Sequence, residues 1–259
     1  MSEHRARKRF GQNFLHDRGV IERILNAFGP QPGETVVEIG PGLGALTRPL
    51  LERIPHLHVV ELDRDLAARL RAEFDPTRLT VHEIDALRFN FCSLAPAGTS
   101  LRVLGNLPYN ISTPILFHLL DQSSCIADML FMLQKEVVER MVAEPDSTEY
   151  GRLSVMLQWR CRIEKLFTVG AGAFTPAPKV ESAIVRLVPH AKPPIEVRDA
   201  ALFARLVQTA FAHRRKTLRN NLKGMIAGEA IAALGIEPER RAETLTLDEF
   251  ARLANVLAG

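Results

Sequence analysis

A strand, a glycine-rich turn and a helix follow one another early in the chain, and this unit constrains the fold more than any other stretch. Residues 35–39, Thr-Val-Val-Glu-Ile, are mostly apolar and β-branched, which is typical of a buried strand. Gly40, Gly42 and Gly44 let the backbone turn tightly and approach a ligand without a Cβ atom in the way. The apolar positions of the helix that follows are Leu46, Leu50 and Leu51. We therefore predict the first βα unit of a nucleotide-binding sheet.

The spacing of these glycines limits the kind of ligand. Gly-x-Gly-x-Gly is tighter than the Gly-x-Gly-x-x-Gly of dinucleotide-binding proteins, and no Lys-Ser or Lys-Thr pair follows it, which excludes a phosphate-binding P-loop. An adenosyl cofactor without a pyrophosphate fits this turn better than a nicotinamide dinucleotide. A purely structural tight turn stays open as the alternative.

Acidic side chains follow the next two predicted strands. Glu61 closes the apolar part of the predicted strand 58–63, roughly 20 residues after the glycines. An acid at this position can accept the ribose hydroxyls of a nucleotide. Leu62 is expected to lie against an adenine face. Asp85 and Ala86 follow the strand 79–84, where the carboxylate can accept the adenine amino group and the Ala86 N–H can bond a ring nitrogen. The alternatives without ligand binding are a surface carboxylate for Glu61 and a helix N-cap for Asp85.

The fourth predicted strand, 101–105, ends abruptly in Asn106-Leu107-Pro108-Tyr109. Pro108 fixes its own φ and biases Leu107 toward an extended conformation, so main-chain carbonyls and the Asn106 side-chain carbonyl can be held as acceptors. Acceptors beside a flat ring suit a planar group that carries an exocyclic amine. We interpret this stretch as the place where an amino group of a base is methylated.

The remaining chain predicts a helix capped by Asp17, strands near 129–133, 163–169 and 182–187, and helical segments near 150–160 and beyond 200. The loop before the last strand carries Phe174 among prolines. This ring is either presented to the site to stack on a base, which we favour, or part of a packed hairpin lid. Because prolines crowd 189–194, we expect a nucleotide-binding domain of residues 1–189 and a small helical domain of residues 190–259.

Composition adds expectations about partners. The chain has 46% hydrophobic and 24% charged residues and a net charge of only +3, which is ordinary for a globular protein. Basic residues nevertheless cluster near both ends, and such clusters either bind RNA phosphates or form a solvated face. The residues expected to bind RNA are Arg5, Arg7, Lys8, Arg214, Arg215, Lys216, Arg219 and Lys223.

The cysteines and the apolar runs indicate a compartment. Cys92, Cys125 and Cys161 are far apart, form no metal-type pair and are expected to be small apolar fillers in a reducing environment, so no metal is predicted. No uncharged apolar run approaches the roughly 20 residues of a membrane span, and no signal-peptide core follows the basic amino terminus. We expect a monomeric cytoplasmic protein without a membrane partner.

Several motifs in this order resemble the KsgA-type small-subunit ribosomal RNA adenine dimethyltransferases, and the similarity covers nearly the whole chain. The motifs are residues 8–15 (Lys-Arg-Phe-Gly-Gln-Asn-Phe-Leu), 37–44 (Val-Glu-Ile-Gly-Pro-Gly-Leu-Gly), 61–63 (Glu-Leu-Asp), 105–109 (Gly-Asn-Leu-Pro-Tyr), 132–137 (Met-Leu-Gln-Lys-Glu-Val), 174–180 (Phe-Thr-Pro-Ala-Pro-Lys-Val) and 214–219 (Arg-Arg-Lys-Thr-Leu-Arg).

The resemblance implies a Rossmann-like methyltransferase sheet, mostly parallel with its last strand antiparallel, and an all-helical carboxyl-terminal domain. It also implies S-adenosylmethionine as methyl donor. The acceptors would be two adjacent adenosines near the 3′ end of small-subunit (16S) rRNA, each dimethylated on N6 during late assembly. By position, the cofactor contacts would be Asn13, Leu15, Gly40, Glu61, Asp85 and Asn106, and Tyr109 and Phe174 would clamp the flipped base.

Three other functions remain possible at this point. The nearest is a large-subunit rRNA methyltransferase of the macrolide-resistance type, against which the segments 134–137 and 214–219 argue. A non-catalytic assembly or transcription factor is disfavoured by the intact Glu61 and the intact stretch 106–109. A DNA adenine methyltransferase is disfavoured because those enzymes usually carry an acid where this chain has Asn106.

Overall fold

The fold is described from a computed structural model, in which residues 13–259 are placed. The strands are β1 (Phe14–Leu15), β2 (Thr35–Ile39), β3 (Leu57–Glu61), β4 (Leu79–Glu83), β5 (Leu101–Asn106), β6 (Ile126–Gln134), β7 (Cys161–Val169), β8 (Phe174–Thr175) and β9 (Ser182–Pro189). The helices are α1 (Arg18–Phe28), α2 (Thr47–Arg53), α3 (Arg64–Glu73), α4 (Ser112–Asp121), α5 (Lys135–Val142), α6 (Arg152–Arg160), α7 (Ala200–Ala210), α8 (Leu218–Asn221), α9 (Gly228–Ala233) and α10 (Leu247–Leu257).

The main sheet has seven strands in the order β4-β3-β2-β5-β6-β9-β7. The neighbours from β4 to β6 pair in parallel, and β9 pairs with β6 in the antiparallel sense. This arrangement confirms the predicted fold class. From β2 the chain continues to β3 and β4 on one side of the sheet and then returns to β5 on the other side of β2. The carboxyl ends of β2 and β5 therefore flank the switch point at which such sheets bind ligands.

The central strands are held close together by small residues and by one charged network. A Cβ atom on Gly105 would lie 2.4 Å from the carbonyl oxygen of Ile39, so only glycine fits where β5 passes β2. Arg102 on β5 donates to Asp128 at 2.7 Å and to Glu34 at 2.9 Å, and its guanidinium lies 4.3 Å from the centre of the Phe28 ring. The hydrogen bonds that Arg102 donates to these carboxylates, that to Asp128 first, raise the pKa of Arg102, which keeps its guanidinium charged.

Contacts among the described residues group into two units: 13–138 with 164–189, and 139–163 with 190–259. The expected division at residue 190 had assigned 139–163 to the first domain, so the grouping by contacts differs there. In the second unit, α7 packs against α10, and the Trp159 and Phe203 rings lie 4.9 Å apart. Thr246 and Glu249 form a capping box at the start of α10, as expected for a helix that begins there.

The cysteines depart from the expectation. Cys92 and Cys125 form a disulfide, with their Cα atoms 5.5 Å apart, whereas all three cysteines were expected to be reduced fillers. Although 33 residues separate them, the two short 3₁₀ turns that carry them meet, because the Gln122 side chain accepts a hydrogen bond from the Phe91 N–H at 2.7 Å. Sequence spacing does not reveal such a meeting. Cys161 is buried and free, as expected.

One further observation concerns membranes. Within residues 13–259, no helix combines the length and the apolar composition that a membrane crossing requires.

Candidate active site

The carboxyl ends of β2, β3, β4 and β5 open onto one cavity of about 290 Å³. Its lining includes every residue that we predicted to bind the cofactor and all of residues 106–109. These residues are Asn13, Leu15, Gly40, Gly42, Glu61, Leu62, Asp85, Ala86, Asn106, Leu107, Pro108 and Tyr109. The parallel register brings together those at the ends of β2 to β5, since these strands end at the same edge of the sheet. Asn13 and Leu15 come instead from the segment of β1, which pairs with β8 outside this sheet.

The glycine-rich turn forms one wall of the cavity. Gly42 has φ +57°, a conformation that favours glycine, and a Cβ atom there would crowd the Phe14 ring at 3.2 Å. Its N–H donates to the Glu61 carboxylate at 3.2 Å, which ties the turn to the end of β3. The purely structural alternative for this turn therefore does not account for its position on the cavity.

Glu61 is a buried carboxylate at the cavity wall, only 7% exposed. It also accepts the Asp63 N–H at 2.8 Å. Burial raises the pKa of Glu61, while the hydrogen bonds from the Asp63 and Gly42 N–H groups act in the opposite direction. A carboxylate fixed in this way suits a pair of hydroxyl donors, and the surface-carboxylate alternative is excluded by its burial.

Two apolar side chains beside Glu61 are unusually exposed. Leu62 is 46% exposed and Ile84 is 37% exposed, and both line the cavity. Exposed aliphatic side chains near a buried carboxylate suit the apolar faces of an adenine and the hydroxyls of a ribose. The residues present thus fit S-adenosylmethionine, the cofactor that the fold implies.

Asp85 caps a short turn and also lies on the cavity wall. Its carboxylate accepts the Leu87 N–H at 3.0 Å, as an N-cap of the short 3₁₀ turn Ala86–Arg88 does, and the residue lines the cavity. One carboxylate oxygen is therefore engaged by the backbone, while the residue remains next to the ligand space. The cap fixes the carboxylate at the end of β4.

Asn106 is oriented by Asn13, the residue that precedes β1. Its Nδ2 donates to the Asn13 carbonyl oxygen at 3.0 Å. Because a carbonyl oxygen can only accept, this contact requires the amide nitrogen on that side and leaves Oδ1 as an acceptor on the other. Leu107 is buried and its N–H donates to the Met132 carbonyl at 3.2 Å, which holds the main chain after β5 in place.

Phe174 is not where we expected it. It is 3% exposed, belongs to the core cluster and does not line the cavity, so this structure does not present its ring to the site. In the β1–β8 pair Leu15 faces Phe174 and Phe14 faces Thr175. Since side chains alternate along strands, Leu15 and Phe174 share one face of this pair and Phe14 lies on the other. Leu15 and Phe14 both line the cavity, whereas Phe174 is packed in the core.

Glu38 is a cavity residue that we did not single out from the sequence. It lies in the middle of the apolar strand β2, 2% exposed, and accepts the Thr47 hydroxyl at 2.6 Å. Burial raises its pKa to about 8, with a smaller contribution from the nearby Glu61. An acid within an otherwise apolar β-branched strand was the signal that could have identified it.

We expect Glu38→Gln to change how stability depends on pH. The folded protein keeps a proton on Glu38 between pH 4.5 and about 8, whereas the unfolded chain loses it. The contribution of Glu38 to wild-type stability therefore falls as pH rises through this window, by on the order of a few kcal/mol. Glutamine keeps the acceptor for Thr47 and does not titrate. The unfolding free energy of the Glu38→Gln protein relative to wild type, measured in urea at pH 5, 7 and 8.5, should rise with pH. A constant difference would contradict the raised pKa of Glu38.

The five basic residues between 214 and 223 that we expect to bind RNA are all exposed. They are Arg214, Arg215, Lys216, Arg219 and Lys223. Arg219 lies 3.3 Å from Glu239, and Arg214 donates to the Thr148 carbonyl, so these two side chains also have partners within the protein. The other residues predicted to bind RNA, Arg5, Arg7 and Lys8, fall outside the described residues.

Comparison with known proteins places this site in a family. The profile of the family described as ribosomal RNA adenine dimethylase matches residues 3–259. Two proteins named ribosomal RNA small subunit methyltransferase A are similar over nearly their whole length. The one from Thiobacillus denitrificans is 60% identical, with 98% of this chain and 99% of that protein covered. The one from Aromatoleum aromaticum is 59% identical, with coverages of 100% and 96%.

Solved structures agree on the fold. A dimethyladenosine transferase from Plasmodium falciparum matches with a TM-score of 0.76 and 24% identity, over 95% of this chain and 98% of that one. The 23S rRNA methyltransferase ErmE matches with a TM-score of 0.71 and 27% identity, over 95% and 100%. From the match over residues 3–259 and the identities near 60%, the chain belongs to the ribosomal RNA adenine dimethylase family.

Proposed function

We propose that this protein methylates N6 of two adjacent adenosines near the 3′ end of small-subunit (16S) rRNA, using S-adenosylmethionine, during late subunit assembly. It works as a monomer in the cytoplasm, where its rRNA substrate is assembled. The observation that carries the proposal is the Asn106 side chain, whose Oδ1 is directed by the Asn13 carbonyl to act as an acceptor on the cofactor cavity. The relatives named as small-subunit methyltransferases support the choice of rRNA.

Each part of the cavity has a task in this reaction. S-adenosylmethionine supplies an already activated methyl group when bound. Glu61 would accept the ribose hydroxyls, Leu62 and Ile84 would cover the adenine faces, and Asp85 would accept the adenine amino group. These residues fix the adenosyl end at β3 and β4, which leaves the end of β5 for the acceptor base.

The acceptor amine needs help because its lone pair is delocalised into the purine ring. Hydrogen bonds from the amine to Asn106 Oδ1 and to the Leu107 main-chain carbonyl favour a pyramidal nitrogen with its lone pair available. Stacking on Tyr109 stabilises the extruded base by about 1–3 kcal/mol. The main contribution is orientation for in-line attack, so no strong general base is required.

The basic residues 214–223 of the second unit are proposed to bind rRNA phosphates, which is the role we assign to the domain that follows residue 189. Arg215 and Lys216 are the first choice for a test because both are exposed and neither has an ion pair within the described residues. The same role is proposed for Arg5, Arg7 and Lys8. Phosphate contacts of this kind make affinity depend steeply on salt.

We expect Arg215→Ala with Lys216→Ala to weaken RNA binding and to flatten its salt dependence. Each lost phosphate contact should reduce the slope of log K against log salt concentration by about 1, so the double variant should lose about 2. A double variant of two other exposed basic residues, Lys192→Ala with Arg198→Ala, removes the same charge outside the cluster and serves as control. Equal slopes for the two double variants would remove residues 215 and 216 from the RNA interface.

The proposed reaction can be tested with purified components. The protein is incubated with methyl-labelled S-adenosylmethionine and either small or large ribosomal subunits that lack adenine methylation. The proposal predicts N6,N6-dimethyladenosine in the small-subunit rRNA only. Labelling of large-subunit rRNA alone would favour the macrolide-resistance reaction, and labelling of neither would favour a non-catalytic assembly role.

A further inference from the structure

The hydroxyl end of the Tyr109 side chain is held by a residue of β9, which is separated from β5 by one strand, β6. The Tyr109 hydroxyl lies 2.7 Å from the Ser182 hydroxyl. Ser182 is fully buried and is not part of the cavity lining, whereas the half-buried Tyr109 lines it. Ser182 therefore reaches the cavity only through the tyrosine.

The position of Ser182 is itself strongly determined. It is the first residue of β9 and faces Gln134 in the antiparallel pairing with β6. Immediately beside it, the Lys135 N–H donates to the Glu181 carbonyl at 2.9 Å, and the two side chains form an ion pair at 2.8 Å. These contacts fix the backbone at the start of β9, so the Ser182 hydroxyl is a rigid anchor point.

Tyr109 is anchored at its other end as well. Its carbonyl accepts a hydrogen bond from the buried Ser112 hydroxyl at 3.2 Å, where α4 begins. With the main chain held there and the phenol oxygen held by Ser182, the two side-chain torsions have little freedom. The ring can then offer a face of constant direction to the cavity, and its hydroxyl is already engaged by the protein.

We propose that Ser182 is a positioning residue, which fixes the plane of the Tyr109 ring so that the acceptor base stacks with its amine in line for methyl transfer. This inference rests on the proposed function, in which Tyr109 stacks on the flipped adenine. Stacking is sensitive to the angle between the two ring planes, so a tilted tyrosine would still bind the base but misdirect the amine. The effect of losing Ser182 should accordingly fall on kcat.

The test is a double-mutant cycle with Ser182→Ala and Tyr109→Phe, each of which removes the same hydrogen bond from one side. Ser182→Ala should lower kcat on small subunits about three- to tenfold, the worth of one such bond. The Kd for S-adenosylmethionine and the KM for the subunit should stay within about twofold. Tyr109→Phe should cost about as much, and the double variant no more than the larger single effect.

A readout without activity separates this inference from the proposed function. The chain has two tyrosines, so ¹³C-tyrosine spectra contain two signals, and Tyr109→Phe assigns them. Ser182→Ala should move the Tyr109 ring signal and leave that of Tyr150 in place. Ser154→Ala, which removes another fully buried serine hydroxyl, should change neither kcat nor the Tyr109 signal.

The outcomes differ for the two claims. The positioning role is overturned if Ser182→Ala lowers kcat by the same factor in wild type and in the Tyr109→Phe background. It is also overturned if Ser182→Ala leaves both kcat and the Tyr109 signal unchanged. In either case the proposed function stands. If wild type methylates no rRNA adenine, the proposed function fails first. Should Ser182→Ala not fold, Tyr109→Phe alone must still lower kcat with the subunit KM preserved, and an unchanged kcat overturns the role.

Discussion

Replacing Asn106 by alanine is expected to lower methyl transfer by about 10²–10³-fold, because the alanine side chain offers no acceptor to the adenine amine. Binding of S-adenosylmethionine should remain measurable, since Glu61 and Asp85 are unchanged at the other strand ends. The measurement combines single-turnover methylation of small subunits with calorimetric titration of the cofactor. This separates loss of chemistry from loss of binding.

Asn90→Ala is the matched control for this prediction. Asn90 is an exposed asparagine that does not line the cavity and whose side chain makes no capping hydrogen bond. Its replacement should leave methyl transfer unchanged. Wild-type turnover in Asn106→Ala would remove Asn106 from the mechanism, whatever the control shows.

Replacing Glu61 by alanine should act on the cofactor rather than on the chemistry. A hydrogen bond to a charged group contributes about 1.5–3 kcal/mol, so loss of the carboxylate should raise the Kd for S-adenosylmethionine by about 10- to 150-fold. Part of this increase will come from the turn, because Gly42 and Asp63 lose the acceptor for their N–H groups. Calorimetric titration with the cofactor measures the change directly.

Glu83→Ala provides the comparison for Glu61. The two residues are register partners at the ends of β3 and β4, but Glu83 pairs with Arg71 at 2.8 Å and does not line the cavity. Its removal should alter cofactor affinity by less than about twofold. An equal loss of affinity in both variants would mean that the carboxylate acts through the stability of the sheet edge and not through the ligand.

The parts of the site that could be predicted from the sequence are those that repeat with the strands. Each parallel strand ends at the same edge of the sheet, so Glu61, Asp85 and Asn106 had to meet once the strands were identified. The glycine spacing likewise excluded a phosphate-binding P-loop and favoured an adenosyl cofactor without a pyrophosphate. These inferences need only local pattern and the geometry of a parallel sheet, and the cavity lining agrees with them.

The residues that were missed or misplaced depend on contacts between distant segments. The direction of the Phe174 side chain follows from its pairing with Leu15, and no local sequence pattern predicts this pairing. The Cys92–Cys125 bridge forms because Gln122 joins two turns that are far apart in the chain. The anchor that Ser182 gives to Tyr109 likewise requires knowing that β9 inserts antiparallel beside β6.

The charge state of Glu38 was unpredictable for a related reason. Its position within an apolar strand is visible in the sequence, but its pKa depends on complete burial and on the distance to Glu61, which are properties of the folded packing. The roles of the basic residues near both ends also stay predictions, since exposure alone does not distinguish a phosphate-binding surface from a solvated one.

The central claim is that the cavity at the ends of β2 to β5 methylates adenosines of small-subunit rRNA through Asn106. It is tested most directly by mass-spectrometric mapping of N6,N6-dimethyladenosine in rRNA from cells that lack this protein and from the same cells supplied with wild type or with Asn106→Ala. The claim predicts that two adjacent dimethyladenosines near the 3′ end of the small-subunit rRNA disappear, return with wild type and do not return with the variant. Unchanged dimethyladenosines in the deficient cells, or their full return with Asn106→Ala, would contradict it.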